Sequence, residues 1–293
     1  MPPLWQSRPV GLVGLGLIGG SLGLDLGRSG ASVRALVHRP ETAARARQRS
    51  LAEVVSTDPS VLADCGLVIL CLPLDRLLEP DPALLAALPP EAIVTDVGSV
   101  KGPVLAAWEL RLGGRFVASH PMAGTARSGV EAGEIGLFQG RPWVITPTAG
   151  TDPQALQEVE ALACALGSVP LRCDAADHDR AVALISHLPV LVGAALLQAA
   201  DRGAPEALGS LARALASSGF ADTTRVGGGN PDLGLWMARH NRSALLAALA
   251  EFRAALEGLE TLVRAEDWPA LREELVEAET LRPPFLEPPA APR

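Results

Sequence analysis

With 293 residues, 48% hydrophobic and 20% charged, the chain has apolar material for two domains, or for one large α/β domain with a helical extension. A net charge of −8 argues against a nucleic-acid partner, which would need a basic face. No apolar run looks long enough to cross a bilayer (about 18–20 residues), and the N-terminus has no signal-peptide pattern. Cys65, Cys71, Cys164 and Cys173 form neither a C-x-x-C pair nor zinc-like spacing, which fits a reducing, cytoplasmic setting and no metal.

In chain order, residues 10–15 read as a short apolar strand ending in glycines, with a helix over 17–30. Residues 31–37 are β-prone and 40–49 form an arginine-rich helix. A buried strand (LVILCL) spans 67–72, a helix 74–88, a strand 92–97, a helix 101–112 and a strand 115–119. Residues 143–146, 153–166 and 169–173 add strand, helix and strand. Strands alternating with helices of ten to fifteen residues imply βαβ units and a parallel sheet. After Asp174 the pattern becomes Ala/Leu-rich with helical spacing over 179–200, 205–217 and 243–275. Such helices would bury a face against something beyond their own chain, so a homodimer is expected. The proline-rich end from Arg282 reads as a loose tail.

Gly14-Leu-Gly16-Leu-Ile18-Gly19 is a G-x-G-x-x-G directly after a strand and opening a helix. The first glycine permits the tight turn, the second lets backbone approach a pyrophosphate, and the third lets helix and strand pack closely. In that context the motif predicts a dinucleotide site. It assigns a Rossmann-type domain to 8–174, an all-α substrate and dimerisation domain to 175–281, and the tail to 282–293. Leu72 and Pro73, closing the LVILCL run, join Ile18 as cofactor-binding candidates. About twenty residues past the glycines, NAD enzymes place a carboxylate on the ribose 2′-OH. Here the chain has His38 and Arg39, so NADP is favoured over NAD.

Three further stretches carry candidates for chemistry. Asp96-Val-Gly-Ser99-Val-Lys101-Gly102 follows a strand at the sheet edge where ligands bind. Lys101 is the chain's single lysine in an arginine-dominated background, and Ser99 reads either as an active-site hydroxyl or as a helix N-cap. Ser119-His120-Pro-Met-Ala-Gly-Thr125 ends the next strand at the same edge, where a histidine is a candidate general base. Asp177-His178-Asp179 leads into a helix carrying Ser186-His187-Leu-Pro189, whose proline predicts a kink. Beyond it, residues 219–231 form a polar, glycine-rich interruption in which Arg225 could pair bidentately with a carboxylate. Lys101 and Thr125 count with Arg225 as substrate-binding candidates.

Taken together and in order, GLGLIGGS, DVGSVKG, SHPMAGT, DHDRAVALISHLP and GFADTTRVGGGNP resemble the prephenate/arogenate dehydrogenase family over nearly the whole chain. The resemblance implies an N-terminal Rossmann domain, a helical dimerisation domain, and oxidative decarboxylation of a cyclohexadienyl acid on the route to tyrosine. His120 resembles the histidine that accepts the ring hydroxyl's proton, and Ser99 the serine supporting it. His187 resembles a second active-site histidine, and Arg225 the clamp on the ring carboxylate. Val190 stands where many prephenate-specific members carry histidine, and Ala221 where they often carry a basic residue. With His38-Arg39, these departures look more like the NADP-using arogenate branch. A β-hydroxyacid or imine reductase would use a lysine or aspartate on the interdomain helix, where this chain offers His187. A non-catalytic NADP-binding sensor would leave SHPMAG and DTTR without a purpose.

Overall fold

In the computed structural model, which describes residues 3–125, 127–203 and 205–287, short strands lie side by side in one sheet. They are β1 (Val10–Val13), β2 (Val33–Leu36), β3 (Val54–Ser56), β4 (Leu67–Leu70), β5 (Ile93–Asp96) and β6 (Phe116–Val117). The sheet is parallel, in the order β3-β2-β1-β4-β5-β6. β1, β4 and β5 are buried throughout, as strands covered by helices on both faces must be. The strand order reverses direction between β1 and β4, and the crevice beyond their carboxyl ends is the ligand position of this fold. Val13 pairs with Leu70, and Leu70 with Asp96, so the segments after β1, β4 and β5 leave the sheet side by side.

Several expected elements take a different form. β3 escapes the sequence pattern because only Val55 of its three residues enters the core. The helix expected over 74–88 is two short ones, Leu74–Leu78 and Pro82–Ala87. Pro80 lies between them, and Asp81 caps the second. The strand expected over 115–119 also divides. The Ser119 N–H donates to the Asp96 carboxylate at 3.0 Å, so pairing with β5 stops at Val117. The chain then enters a separate three-stranded sheet as β7 (Ser119–Pro121), antiparallel to β8 (Pro142–Ile145), which pairs in parallel with β9 (Val169–Arg172). His120 thus sits opposite Val144 in this second sheet, rather than at the end of a strand of the parallel one.

Contacts divide the chain into two compact units. Met1–Asp179 and Gly229–His240 belong to the first, and Arg180–Gly228 and Asn241–Ala290 to the second. The helix Pro231–His240 therefore belongs with the sheet, and Trp236 packs against its core. Both buried apolar clusters lie in this first unit.

The second unit is helical. Helix runs from Ala175 to Arg202 with a π turn over Ala183–His187. The turn falls just before Pro189, which has no N–H to return to the preceding turn. Residues 181–200 carry no Asp, Glu, Lys or Arg. By length and composition this helix is therefore long and apolar enough to cross a membrane, contrary to the expectation from sequence. Residues 219–231, expected to be loop, begin with the helix Ser218–Thr224. The run 243–275 is two helices, Arg242–Arg264 and Trp268–Leu286, broken where Glu266 takes a positive φ and Asp267 caps the second. Helix continues through Pro283 and Pro284, so the loose tail does not begin at Arg282. The rest of that tail from residue 288 lies outside the described residues.

Candidate active site

The glycine turn has the shape its motif requires. Gly14 follows β1 at φ +97°, and a Cβ there would lie 2.5 Å from the Cys71 carbonyl oxygen. A Cβ on Gly19 would lie 2.1 Å from the Gly14 carbonyl oxygen, so helix Leu17–Arg28 can press this close to β1 only with glycine. At Gly16, by contrast, a Cβ would meet nothing within 4 Å. Two crowded glycines and an open one between them, at a helix N-terminus, fit a pyrophosphate lying over Gly16 and Ile18. Leu72 is half-buried and Pro73 exposed at the end of β4. His38 and Arg39 follow β2, both exposed, with Arg39 at the N-cap of helix Pro40–Gln48.

The turn after β5 is built around a buried ion pair. Lys101 and Asp96 are both fully buried, 2.5 Å apart, and the lysine Nζ also donates to the Ser119 carbonyl at 2.6 Å. Burial pushes the ammonium's pKa down against the pull of Asp96, which raises it. The aspartate accepts from the Gly98 and Ser119 N–H groups as well. The Ser119 hydroxyl donates to the Asp96 carbonyl at 2.8 Å and accepts from Trp143 Nε1 at 3.0 Å. Lys101 is therefore a strut pinning the end of β5 to the start of β7, with its ammonium buried between the two. Ser99 lies half-buried in the turn before helix Gly102–Leu112, whose N-cap position is Lys101, so Ser99 is not the N-cap serine.

Asp179 supplies that helix's missing cap from seventy-eight residues away. Its Oδ1 accepts from the Lys101 N–H at 2.7 Å and its Oδ2 from the Gly102 N–H at 2.9 Å. His178 Nδ1 lies 2.8 Å from Asp179 Oδ1, and His178 Nε2 lies 2.9 Å from His120 Nδ1. Burial alone would raise the Asp179 carboxyl pKa. The hydrogen bonds from His178, Lys101 and Gly102 outweigh it and hold the group below its usual value. Sequence reading assigned no role to Asp96, His178 or Asp179. The DHD triplet was visible, but nothing in it says that its histidine meets one fifty-eight residues earlier.

His120 is half-buried on β7. Thr125 lies exposed in the loop that follows, its hydroxyl accepting from the Arg127 N–H. In the second unit His187 is buried at the end of the π turn, its Nδ1 3.2 Å from the side-chain amide of Asn241. Arg225 is exposed at the C-terminal end of helix Ser218–Thr224. That end is set by a close crossing, since a Cβ on Gly227 would lie 2.1 Å from the Ala194 nitrogen. Gly227 thus has a packing role as well as lying beside a functional candidate.

The chain matches two family models: "Prephenate dehydrogenase, nucleotide-binding domain" over residues 22–169, and "Prephenate dehydrogenase, dimerization domain" over residues 174–277. It is 31% identical to cyclohexadienyl dehydrogenase of Zymomonas mobilis, over 94% of this chain and 95% of that protein. Among solved structures it is similar to arogenate dehydrogenase of Synechocystis, with 41% identity, TM-score 0.78, and 95% and 100% of the two chains covered. It is also similar to prephenate dehydrogenase of A. aeolicus in complex with hydroxyphenyl propionate and NAD+, with 30% identity, TM-score 0.87, and 94% and 97% covered. With a Rossmann-type sheet, a nucleotide turn of the right shape and both family models in sequence, the chain belongs to the prephenate dehydrogenase family and is a nicotinamide-dependent oxidoreductase.

Proposed function

We propose that this enzyme carries out the oxidative decarboxylation of a cyclohexadienyl acid, arogenate or prephenate, in tyrosine biosynthesis. The observation that carries the reading is His120. Its Nδ1 is engaged by His178, which directs the other ring nitrogen to the work of a base. When bound, the dinucleotide supplies a hydride acceptor. His120 takes the proton of the ring hydroxyl as the hydride leaves the carbinol carbon. The ring carboxylate then departs as carbon dioxide, and its bonding electrons complete an aromatic ring, which makes the reaction effectively irreversible. Ser99 supports the hydroxyl, His187 lies near the substrate, Thr125 lines its site, and Arg225 holds the ring carboxylate by a bidentate pair. Gly14, Gly16, Ile18 and Gly19 hold the pyrophosphate, and Leu72 and Pro73 border the cofactor.

NADP is the preferred cofactor in this reading, because Arg39 can bind a 2′-phosphate where NAD enzymes place a carboxylate. Arogenate is the preferred substrate, from Val190 and Ala221. The working form is a cytoplasmic homodimer. Supporting this, Leu208, Leu211 and Leu215 are each at least half exposed at helical spacing in the region matched by the dimerization-domain model. Incubation with each cofactor and each substrate, followed by the absorbance of the reduced nicotinamide, tests the whole reading. Fastest reduction is expected with NADP and arogenate. No reduction in any combination would overturn the function, and a preference for NAD or prephenate would overturn only that part.

A further inference from the structure

Three side chains in the first unit form a line ending at a helix N-terminus: His120, His178 and Asp179. Their protonation can be worked out from the anchored end. Asp179 accepts two backbone N–H groups, and its carboxyl is held below the usual range, so it is an ionised acceptor. The nitrogen facing it, His178 Nδ1, must therefore carry a proton. In a neutral imidazole that leaves His178 Nε2 as the acceptor. His120 Nδ1, 2.9 Å away, must then donate, and the remaining lone pair of His120 is fixed on Nε2.

We propose that His178 is a positioning residue for the reaction: with Asp179 it fixes the tautomer of His120 and steadies the imidazolium that forms when His120 takes the substrate proton. The burial of His178, at 2% exposed, supports this. So does its place in the line, with one ring nitrogen facing His120 and the other Asp179. No second proton transfer is needed. The proton gained stays on His120 Nε2, the Nδ1 proton stays where it was, and the hydrogen bond to His178 strengthens as charge develops. The charged and titratable groups around His120 include His178 and, through it, Asp179, together with the Lys101–Asp96 pair gripping the adjacent Ser119 backbone.

This inference rests on His120 being the base, so its test reads the two separately. Histidine-selective ¹⁵N spectra of the wild-type enzyme, without substrate, should show His120 protonated at Nδ1 and bare at Nε2 above its titration. The opposite tautomer would overturn the proposal whatever the kinetics. His178→Leu, checked for folding by circular dichroism, should lower kcat about 10- to 100-fold, as outer partners that orient a working imidazole do. KM should change less than threefold, and the acid limb of kcat/KM should move to lower pH, because His120 loses the partner that favours its charged form. His178→Gln, which keeps an acceptor near the Nε2 position, should recover part of the rate. An unmoved acid limb in a folded His178→Leu would refute the role, since loss of packing alone would not reproduce that shift. If His120→Asn is instead as active as wild type, it is the base assignment that fails, while the spectra still report on the hydrogen-bonded line.

Discussion

The end of β5 and the end of β2 lie at the same edge of one parallel sheet, yet they are built in opposite ways. After β5, Asp96, Lys101, Ser119 and Trp143 are buried and cross-bonded, and Asp179 ties this frame to the imidazoles. After β2, His38 and Arg39 stand exposed at the start of a helix. A base must be held within tenths of an ångström of its proton, which favours a rigid, fully satisfied surround. A charge that discriminates a 2′-phosphate from a hydroxyl needs only to be within reach. The first region should therefore tolerate almost no change, and the second should be open to tuning.

The largest expected effect tests the braced region. His120→Asn should lower kcat by about 10²–10⁴-fold with little change in KM, the usual size for losing a general base. Steady-state kinetics within threefold of wild type would remove His120 from that role. Next is the strut. Lys101→Ala leaves Asp96 buried without its cation, and breaking a buried pair this way costs about 3–5 kcal/mol. Urea denaturation should show that loss, and a change under 1 kcal/mol would mean the ion pair does not brace the turn.

Arg225→Ala, which removes the proposed carboxylate clamp, should raise KM about 10- to 100-fold, the value of a charge-assisted hydrogen bond or two, with a smaller change in kcat. An unchanged KM would count against the clamp. The smallest effect belongs to β2. Arg39→Ala should weaken NADP by no more than about fivefold, as an exposed charge pair contributes about 1 kcal/mol at most, and leave NAD unaffected. Equal losses with both cofactors would place Arg39 elsewhere in the site.

The same contrast bears on pH. A carboxyl whose folded pKa is depressed, as at Asp179, contributes stability that is present above its unfolded value, about 3.9, and lost as pH falls through the folded one. Asp179 thus stays ionised where imidazoles titrate. Activity should fall as His120 protonates while circular dichroism stays constant. Loss of structure together with activity would contradict that separation.

What sequence could reveal follows the same division. The glycine turn is contiguous, and its spacing states its geometry, so Gly14, Gly16 and Gly19 were legible before any coordinates. The parallel sheet was legible for a related reason: strands buried on both faces are unbroken apolar runs. β3 was hidden because it contributes one core residue. The passage of Ser119–Pro121 into a second sheet was hidden because it depends on where the Ser119 N–H finds its acceptor. Lys101 stood out as the only lysine, but uniqueness could not say whether its ammonium faced a ligand or a buried aspartate. His178 and Asp179 lay inside a recognisable motif, yet their partners are fifty-eight and seventy-eight residues away, and only folding brings them together.

The central claim is that oxidation and loss of the ring carboxylate occur together at this site. The most direct measurement is the stoichiometry of carbon dioxide released per reduced nicotinamide formed, with arogenate and NADP. The account predicts one for one from the first turnovers. Cofactor reduction without carbon dioxide would mean a simple alcohol oxidation, and would contradict it.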